Sequence, residues 1–249
     1  MPKKKFHVSW KDTTTYLVAN LQAEAVQYAS QYAHGKLLDV GCGRKPFLPL
    51  FRDKVDSYTG IDVPTTIHKN DGIDASASGT HLPFKRDSFD TIISTSVMEH
   101  VSEPQQMMDE MFRVLRKKGH ILITVPFQYG LHEQPRDFYR YSKYALRHMA
   151  EKSGFRVVEI KPLGGAFTIM SHMTGKYIAI ALYGLREKLK GKKLDRQGGF
   201  HNIKKSVWIN AIAALPQGIF RLLQKIGLRK LDNLSAEVDP CIYLLVAQK

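Results

Sequence analysis

Cysteine is nearly absent: Cys42 and Cys241 are the only two in 249 residues. Two thiols cannot build a metal cluster of their own and are too few to staple a secreted domain. The expectation is therefore a reducing, cytosolic setting and no metal site. An unbroken apolar run is also missing. The most apolar stretch, Ala166 to Leu185, is interrupted by Ser171, His172, Lys176 and two glycines, which argues against a bilayer-spanning helix. The basic start, Met1-Pro2-Lys3-Lys4-Lys5, runs into Trp10-Lys11-Asp12-Thr13 instead of an apolar segment, so no signal peptide is expected. Repeats and low-complexity tracts are lacking. Acidic residues are scarce in one region: from Lys161 to Lys230 there are 14 Lys and Arg against Glu187 and Asp195, a local charge of +12 in a chain of +14.

What is present is a globular balance, 43% hydrophobic and 24% charged, enough to build a core. Apolar residues at helical spacing (Leu17, Leu21, Ala25, Tyr28, Tyr32) predict a helix over Thr14 to Ala33. Short apolar runs predict strands at Lys36–Val40, Tyr58–Val63, Gly72–Ala75, Phe89–Ser94, His120–Val125, Phe155–Ile160 and Cys241–Ala247. Helices are expected over Glu103–Arg116 and Ser142–Ser153, the latter capped by Ser142 and ended by Gly154. Alternation of this kind requires a mostly parallel sheet. About 80 residues separate the last two strands, too many for an ordinary connection. They contain the apolar stretch 166–185, a basic linker over Arg186–Lys205 with Gly198-Gly199, and a second amphipathic stretch over Val207–Ile226 interrupted by Pro216.

The first strand ends in Asp39-Val40-Gly41-Cys42-Gly43. Two glycines at a strand end let the backbone approach a ligand, and Asp62, about twenty residues on, can accept ribose hydroxyls. Nicotinamide enzymes use the same pairing. Asp39 shifts the balance, because a carboxylate inside the strand end suits a cationic ligand. Further on come Asp74-Ala75, Leu82-Pro83-Phe84 and Asp87-Ser88-Phe89-Asp90, the last of these acids read as an anchor for the fourth strand.

Over about residues 36 to 160 these motifs resemble class I S-adenosylmethionine-dependent methyltransferases, in the branch showing D-x-G-C-G, an acid after the second strand, D-A-x-x-L-P-F and D-x-F-D. The resemblance implies an α/β, Rossmann-like fold with a mostly parallel seven-stranded sheet, flanking helices and a helical insertion between the last two strands. It divides the chain into residues 1–160 with 241–249, the methyltransferase domain, and 161–240, the insertion. The implied cofactor is S-adenosyl-L-methionine, with S-adenosyl-L-homocysteine as product. Asp39 would lie near the methionine amino group, Gly41, Cys42 and Gly43 would form the cradle, Asp62 and Val63 would bind the ribose side, Asp74 and Ala75 would face the adenine, and Ser94 would border the pocket. Where many members keep a third glycine, this chain has Lys45 and Pro46.

The loop Ser94-Thr95-Ser96-Val97-Met98-Glu99-His100 follows the fourth strand at the end where α/β sheets collect ligands. It lacks the Asn/Asp-Pro-Pro-aromatic tetrad of base-amine methylases. Glu99 and His100 are candidates for polarising an acceptor, or for lining the pocket. The polar and aromatic run Pro126 to Tyr141 reads as a substrate lid and resembles an H-x-x-P-x-D-F-x-R-Y stretch in methyltransferases of bacterial glycan and lipid pathways. His132 is the first candidate for general base, its alternative being a structural histidine bonded to Asp137. Tyr129, Arg136, Asp137, Tyr139 and Arg140 are candidate substrate contacts, with Arg140 pairing to Asp137 as the other reading.

The expected reaction is methylation of an oxygen, or of a carbon, in a small, lipid or glycan-lipid acceptor. Apolar Phe167, Ile169, Met170, Met173, Tyr177, Ile178, Ile180 and Leu182 beside the basic linker, with Trp208, Ile212, Leu215, Ile219, Phe220, Leu222 and Leu223 beyond it, suggest contact with the inner face of an anionic membrane. The competing reading is a packed lid. RNA is a weaker partner, because the aromatics sit in apolar runs and do not alternate with charge. An inactive scaffold keeping the fold is the alternative from outside enzymology. The sequence leaves the oligomeric state open.

Overall fold

The computed structural model describes residues 16–63, 72–191 and 206–249. The basic N-terminal segment and, from 192 onward, the linker read over Arg186–Lys205 lie outside the described residues. The described residues divide into two compact units: those within 22–163 with 242–249, and 16–21 with those within 164–241.

The first unit is a seven-stranded sheet: β1 (Lys36–Val40), β2 (Ser57–Asp62), β3 (Ala75–Ser76), β4 (Phe89–Thr95), β5 (Leu115–Pro126), β6 (Arg156–Leu163) and β7 (Ile242–Gln248). Their order is β3-β2-β1-β4-β5-β7-β6. Pairings among β1 to β5 are parallel, and β7 runs antiparallel to both β5 and β6. The expected mostly parallel, Rossmann-like sheet is therefore what the chain forms. Helix α1 (Tyr16–Ala29) precedes it, α2 (Leu48–Phe51) follows β1, α3 (Pro104–Val114) follows β4, and α4 (Lys143–Ser153) follows β5.

Local chemistry explains these elements. Leu37, Leu38 and Val40 are almost wholly buried, as a central parallel strand covered on both faces requires. Pro104 opens α3 where its missing N–H costs nothing. Met107, Met108, Met111 and Val114 then fall on one helical face and are fully buried in the main core with Ile92, Ile121 and Leu245. Each such side chain contributes about 2 kcal/mol relative to exposure. The hydroxyl of Ser142 caps α4 by accepting the Ala145 N–H at 3.3 Å, and Gly154 ends it in the left-handed region at φ +102°. Asp90 does anchor β4: it accepts the Lys36 N–H at 2.8 Å and an ion pair from Arg116 at 2.9 Å.

Two strand starts differ from expectation by three residues or more. β3 is a two-residue edge strand beginning at Ala75, not Gly72. β5 begins five residues before His120, carrying Arg116-Lys117-Lys118-Gly119 through a local irregularity opposite Phe89 to Thr91, with Lys118 at φ +67°.

The second unit is helical: α5 (Ala166–Leu189), α6 (Val207–Ala213), α7 (Leu215–Leu223), a π turn over Gln224–Leu228, and α8 (Arg229–Ser235). One stripe of α5, with Ile169, His172, Gly175, Ala179 and Tyr183, is buried. Gly175 makes that packing possible, since a Cβ there would stand 2.6 Å from the Ala213 carbonyl oxygen. The start of α5 is capped from α8: Asp232 accepts the Thr168 N–H at 2.9 Å and its hydroxyl at 2.6 Å, and Ser235 Oγ accepts the Ala166 N–H at 2.9 Å. Pro216 sits in the first turn of α7 and separates it from α6. Ile169 and Phe220, expected on a membrane face, are instead buried, and Ile178, Ile180 and Leu182 pack against the helical core. Periodicity could not separate them from Phe167, Met170, Met173 and Tyr177, which do stand exposed. Among the described residues no helix is long and apolar enough to cross a membrane.

Candidate active site

Strand order reverses between β1 and β4, and in open α/β sheets ligands collect at the carboxyl ends beside such a switch. Asp39 to Gly43 leave β1 there, Thr95 to His100 leave β4, and the loop bearing His132 leaves β5.

The two glycines of the turn have different reasons to be glycine. Both are left-handed, Gly41 at φ +76° and Gly43 at φ +50°. A Cβ on Gly41 would run into the Val97 side chain, whereas one on Gly43 would meet nothing within 4 Å. Gly41 is thus a packing requirement, and Gly43 keeps a cradle open. Asp62 closes that cradle by accepting the Gly43 N–H at 2.8 Å on one oxygen and the Val63 N–H at 2.7 Å on the other. The carboxylate is locked in orientation with lone pairs to spare, which suits a vicinal diol. Cys42 is buried, and desolvation pushes its thiol up to about 12, so it acts as a small apolar residue.

Asp39 is buried with its carboxylate receiving the Tyr58 hydroxyl. Desolvation raises its pKa to about 7, against the opposing Tyr58 hydrogen bond and with help from the Asp62 charge. Tyr58 went unnoticed in the sequence, although the pairing of Leu37 with Tyr58 and Asp39 with Gly60 puts the two side chains on one face. Gly60 has the same hidden role. A Cβ there would stand 2.7 Å from Cys42 Sγ. Lys45, at the position of the missing third glycine, holds a left-handed φ of +52° all the same. Its ammonium lies 2.6 Å from Asp74, which also accepts the Gly60 N–H at 2.7 Å. Asp74, expected beside an adenine, is thereby held against β2, with Ala75 opening β3 next to it. Ser94 is fully buried and donates to the Val40 carbonyl at 3.0 Å, tying β4 to β1 at the cradle's base.

The second half of the site is the loop after β5. In this structure it forms a hydrogen-bonded wall. The N–H groups of Phe138 and Tyr139 both donate to the Glu99 carbonyl, the Tyr141 hydroxyl donates to Met98 O at 2.9 Å, and the Tyr139 hydroxyl donates to Ser102 O at 3.0 Å. Arg140 uses all five donors inside the loop: two on Asp137 at 2.6 and 2.8 Å, and one each on the carbonyls of Tyr129, Tyr139 and Gly130. Burial pushes the Asp137 carboxyl up, and Arg140 with the His132 N–H more than reverses that. Asp137 and Arg140 therefore brace the wall. Arg136 is exposed at its side chain, while its carbonyl is 2.6 Å from His100 Nδ1. Leu131, Phe138 and Tyr139 give the wall an exposed apolar surface.

Glu99, His100 and His132 come together. Glu99 is fully buried, and neither carboxylate oxygen has a hydrogen-bond partner. The Nε2 atoms of both histidines lie 3.8 Å from Glu99 Oε1, beyond hydrogen-bond reach, and the two rings stand edge to face at 4.7 Å. Tyr129 packs edge-on against His132 at 5.0 Å. Burial alone would lower the His132 pKa, but Glu99, Asp137 and the Gly130 carbonyl outweigh it and the net direction is upward.

A family model described as "Methyltransferase domain" matches residues 10–160. The chain belongs to this methyltransferase family. An uncharacterized methyltransferase of Mycolicibacterium vanbaalenii is 30% identical over 163 residues, 61% of this chain and 63% of the relative. A structure described as a SAM dependent methyltransferase from Archaeoglobus fulgidus superposes with a TM-score of 0.54 at 16% identity, covering 93% of this chain and 94% of the other. A phosphoethanolamine N-methyltransferase of Haemonchus contortus, described in complex with S-adenosylhomocysteine, gives 0.55 at 15% identity over 98% of this chain and 61% of its own. The structural likenesses show a shared fold, and this chain spans about 63% of the length of the curated relative it matches.

Proposed function

We propose that this protein transfers a methyl group from S-adenosylmethionine to an oxygen of an amphipathic, lipid-linked or glycan-lipid acceptor at an anionic membrane surface. The observation that carries the reading is the Gly43 cradle: a left-handed glycine with open space above it, fixed by a carboxylate from the next strand. The cofactor supplies an electrophilic methyl on a sulfonium. Asp62 and the Gly41 to Gly43 turn hold the nucleoside and amino-acid ends, and Asp39 offers a buried negative group to a cation. Methyl transfer is an in-line displacement, so the remaining work is alignment and exclusion of water. The braced wall from Gly130 to Tyr141 provides the rigid side for that task. Glu99, His100 and His132 stand on the acceptor side, where they favour loss of its hydroxyl proton.

Exposed apolar side chains on the wall and, separately, on the second unit support the acceptor class. Phe167, Met170, Met173 and Tyr177 form an exposed apolar row on α5, and Leu215, Ile219 and Leu222 form another on α7. Both belong to the stretch carrying +12. The test is calorimetric titration with S-adenosylmethionine and S-adenosylhomocysteine, wild type beside Asp62→Ala, followed by labelled-methyl transfer to lipid extract and to RNA. Micromolar binding lost in the variant and label entering lipid are expected. Absence of cofactor binding would refute the enzyme, and label entering only RNA would refute the acceptor.

A further inference from the structure

We propose that Glu99, His100 and His132 form a site for one divalent first-row transition-metal ion, open to the acceptor on its remaining coordination positions. The three offer one ligand atom each, all within 4.8 Å of one another. The outer nitrogen of each ring is already committed. His100 Nδ1 lies 2.6 Å from the Arg136 carbonyl, and His132 Nδ1 lies 3.2 Å from the Gly130 carbonyl and 3.4 Å from Asp137. The carbonyl and carboxylate contacts suit a ring proton on Nδ1 in both, with the Arg140 guanidinium also 3.4 Å from His132 Nδ1, and in that tautomer each Nε2 offers a lone pair on the side of Glu99. A carbonyl or carboxylate on the far nitrogen is how metal-bound histidines are ordinarily held.

With both rings neutral the site gathers three electron-pair donors. The Glu99 carboxylate is fully buried with both oxygens unpartnered, and a bound cation would answer it. The spacing fits an ion better than a hydrogen bond. Two ligand atoms at about 2.0 to 2.2 Å from one metal stand roughly 3 to 3.5 Å apart, so the two 3.8 Å carboxylate–imidazole separations need to contract by only a few tenths of an ångström, and all three atoms lie within 4.8 Å. Two imidazoles with one carboxylate favour zinc-like and neighbouring transition ions over magnesium or calcium, which prefer all-oxygen shells. Three protein ligands, with Glu99 and His100 from the end of β4 and His132 from the wall, leave the open position typical of catalytic sites. There the ion strengthens the acidity of the acceptor hydroxyl. Its proton leaves to water, the oxygen lone pair forms the C–O bond, and the pair of the broken S–C bond stays on sulfur. This catalytic role rests on the methyl-transfer reading; ion binding itself does not.

The experiment is titration of untagged, chelator-treated full chain with Co²⁺, followed by visible absorption and by competition with Zn²⁺, for wild type, Glu99→Gln and His132→Gln. S-adenosylhomocysteine binding and circular dichroism are measured alongside. One Co²⁺ per chain with ligand-field bands is expected, weakened at least about a hundredfold in each folded variant, with homocysteine-product binding retained. His132 lies in a loop, so its variant carries the test should Glu99→Gln fail to fold. No stoichiometric Co²⁺ or Zn²⁺ in wild type, or equal binding by the folded variants, overturns the proposal. Metal bound as expected without any cofactor binding would refute the methyltransferase reading and leave the ion site standing.

Discussion

Replacing Asp39 by asparagine isolates the cost of one buried carboxylate. The amide oxygen still accepts the Tyr58 hydroxyl, so the substitution removes ionisation without removing the hydrogen bond. In the folded protein the group titrates at about 7, and its ordinary value is 3.8. A folded-state pKa raised in an acid means that folding stability is full below 3.8 and is lost progressively as pH rises to about 7. The gap, at about 1.36 kcal/mol per pH unit, amounts to about 4 kcal/mol. The variant should therefore match the wild type near pH 4 and exceed it by up to about that amount near pH 8. Hydrogen exchange of the β1 amides, comparing the two proteins at each pH, reads the difference where it arises and avoids the separate unfolding of the helical unit. Parallel pH profiles would show that Asp39 ionises freely in the fold and would refute the desolvation argument.

The glycine turn gives a paired prediction. Gly41→Ala should lower the melting temperature by clashing with Val97, while Gly43→Ala should cost only the 1 to 2 kcal/mol of left-handed strain yet weaken cofactor binding in calorimetry. A Gly43 variant that binds normally would contradict the open-cradle assignment. Arg140→Lys leaves at most three donors where five are used and should loosen the wall by about 1.5 to 3 kcal/mol. Faster exchange confined to residues 129–141 is the expected sign, and unchanged protection would count against the bracing role. Gly165→Ala would drive a Cβ into the Asp232 backbone carbonyl and the Ser235 hydroxyl, and Ser235 with the Asp232 carboxylate caps α5. Loss of about 2 kcal/mol or more in the helical unit should appear as early proteolysis there, with the sheet's exchange pattern preserved.

The parallel strands were legible because buried runs such as Leu37 to Val40 and Ile92 to Ser94 have no other use, and the cap residues Ser142 and Gly154 carry their geometry in their side chains. β3 and the start of β5 were not. An edge strand of two residues has too little burial to leave a pattern, and Lys117-Lys118-Gly119 masks a strand whose ladder is sustained by its neighbours. The cradle residues announced themselves by spacing. The gathering of Glu99, His100 and His132 did not, because 32 residues separate the histidines and only adjacency of β4 and β5 brings them together. Tyr58 was hidden for the same reason: its partner is fixed by inter-strand register, which a single sequence does not display.

The place where the helical unit leaves the sheet has a further consequence. Leu163 and Ile242 face each other as the last antiparallel pair of β6 and β7, and the Cys241 N–H donates to the Gly164 carbonyl at 2.6 Å. The whole segment between them is, topologically, the loop of a hairpin. A two-residue turn could close the same ladder, so the helices can grow, shrink or be exchanged for another family's without disturbing a single strand pairing. Such an architecture lets the inserted segment change in length and composition while the strand ladder that frames it is inherited intact.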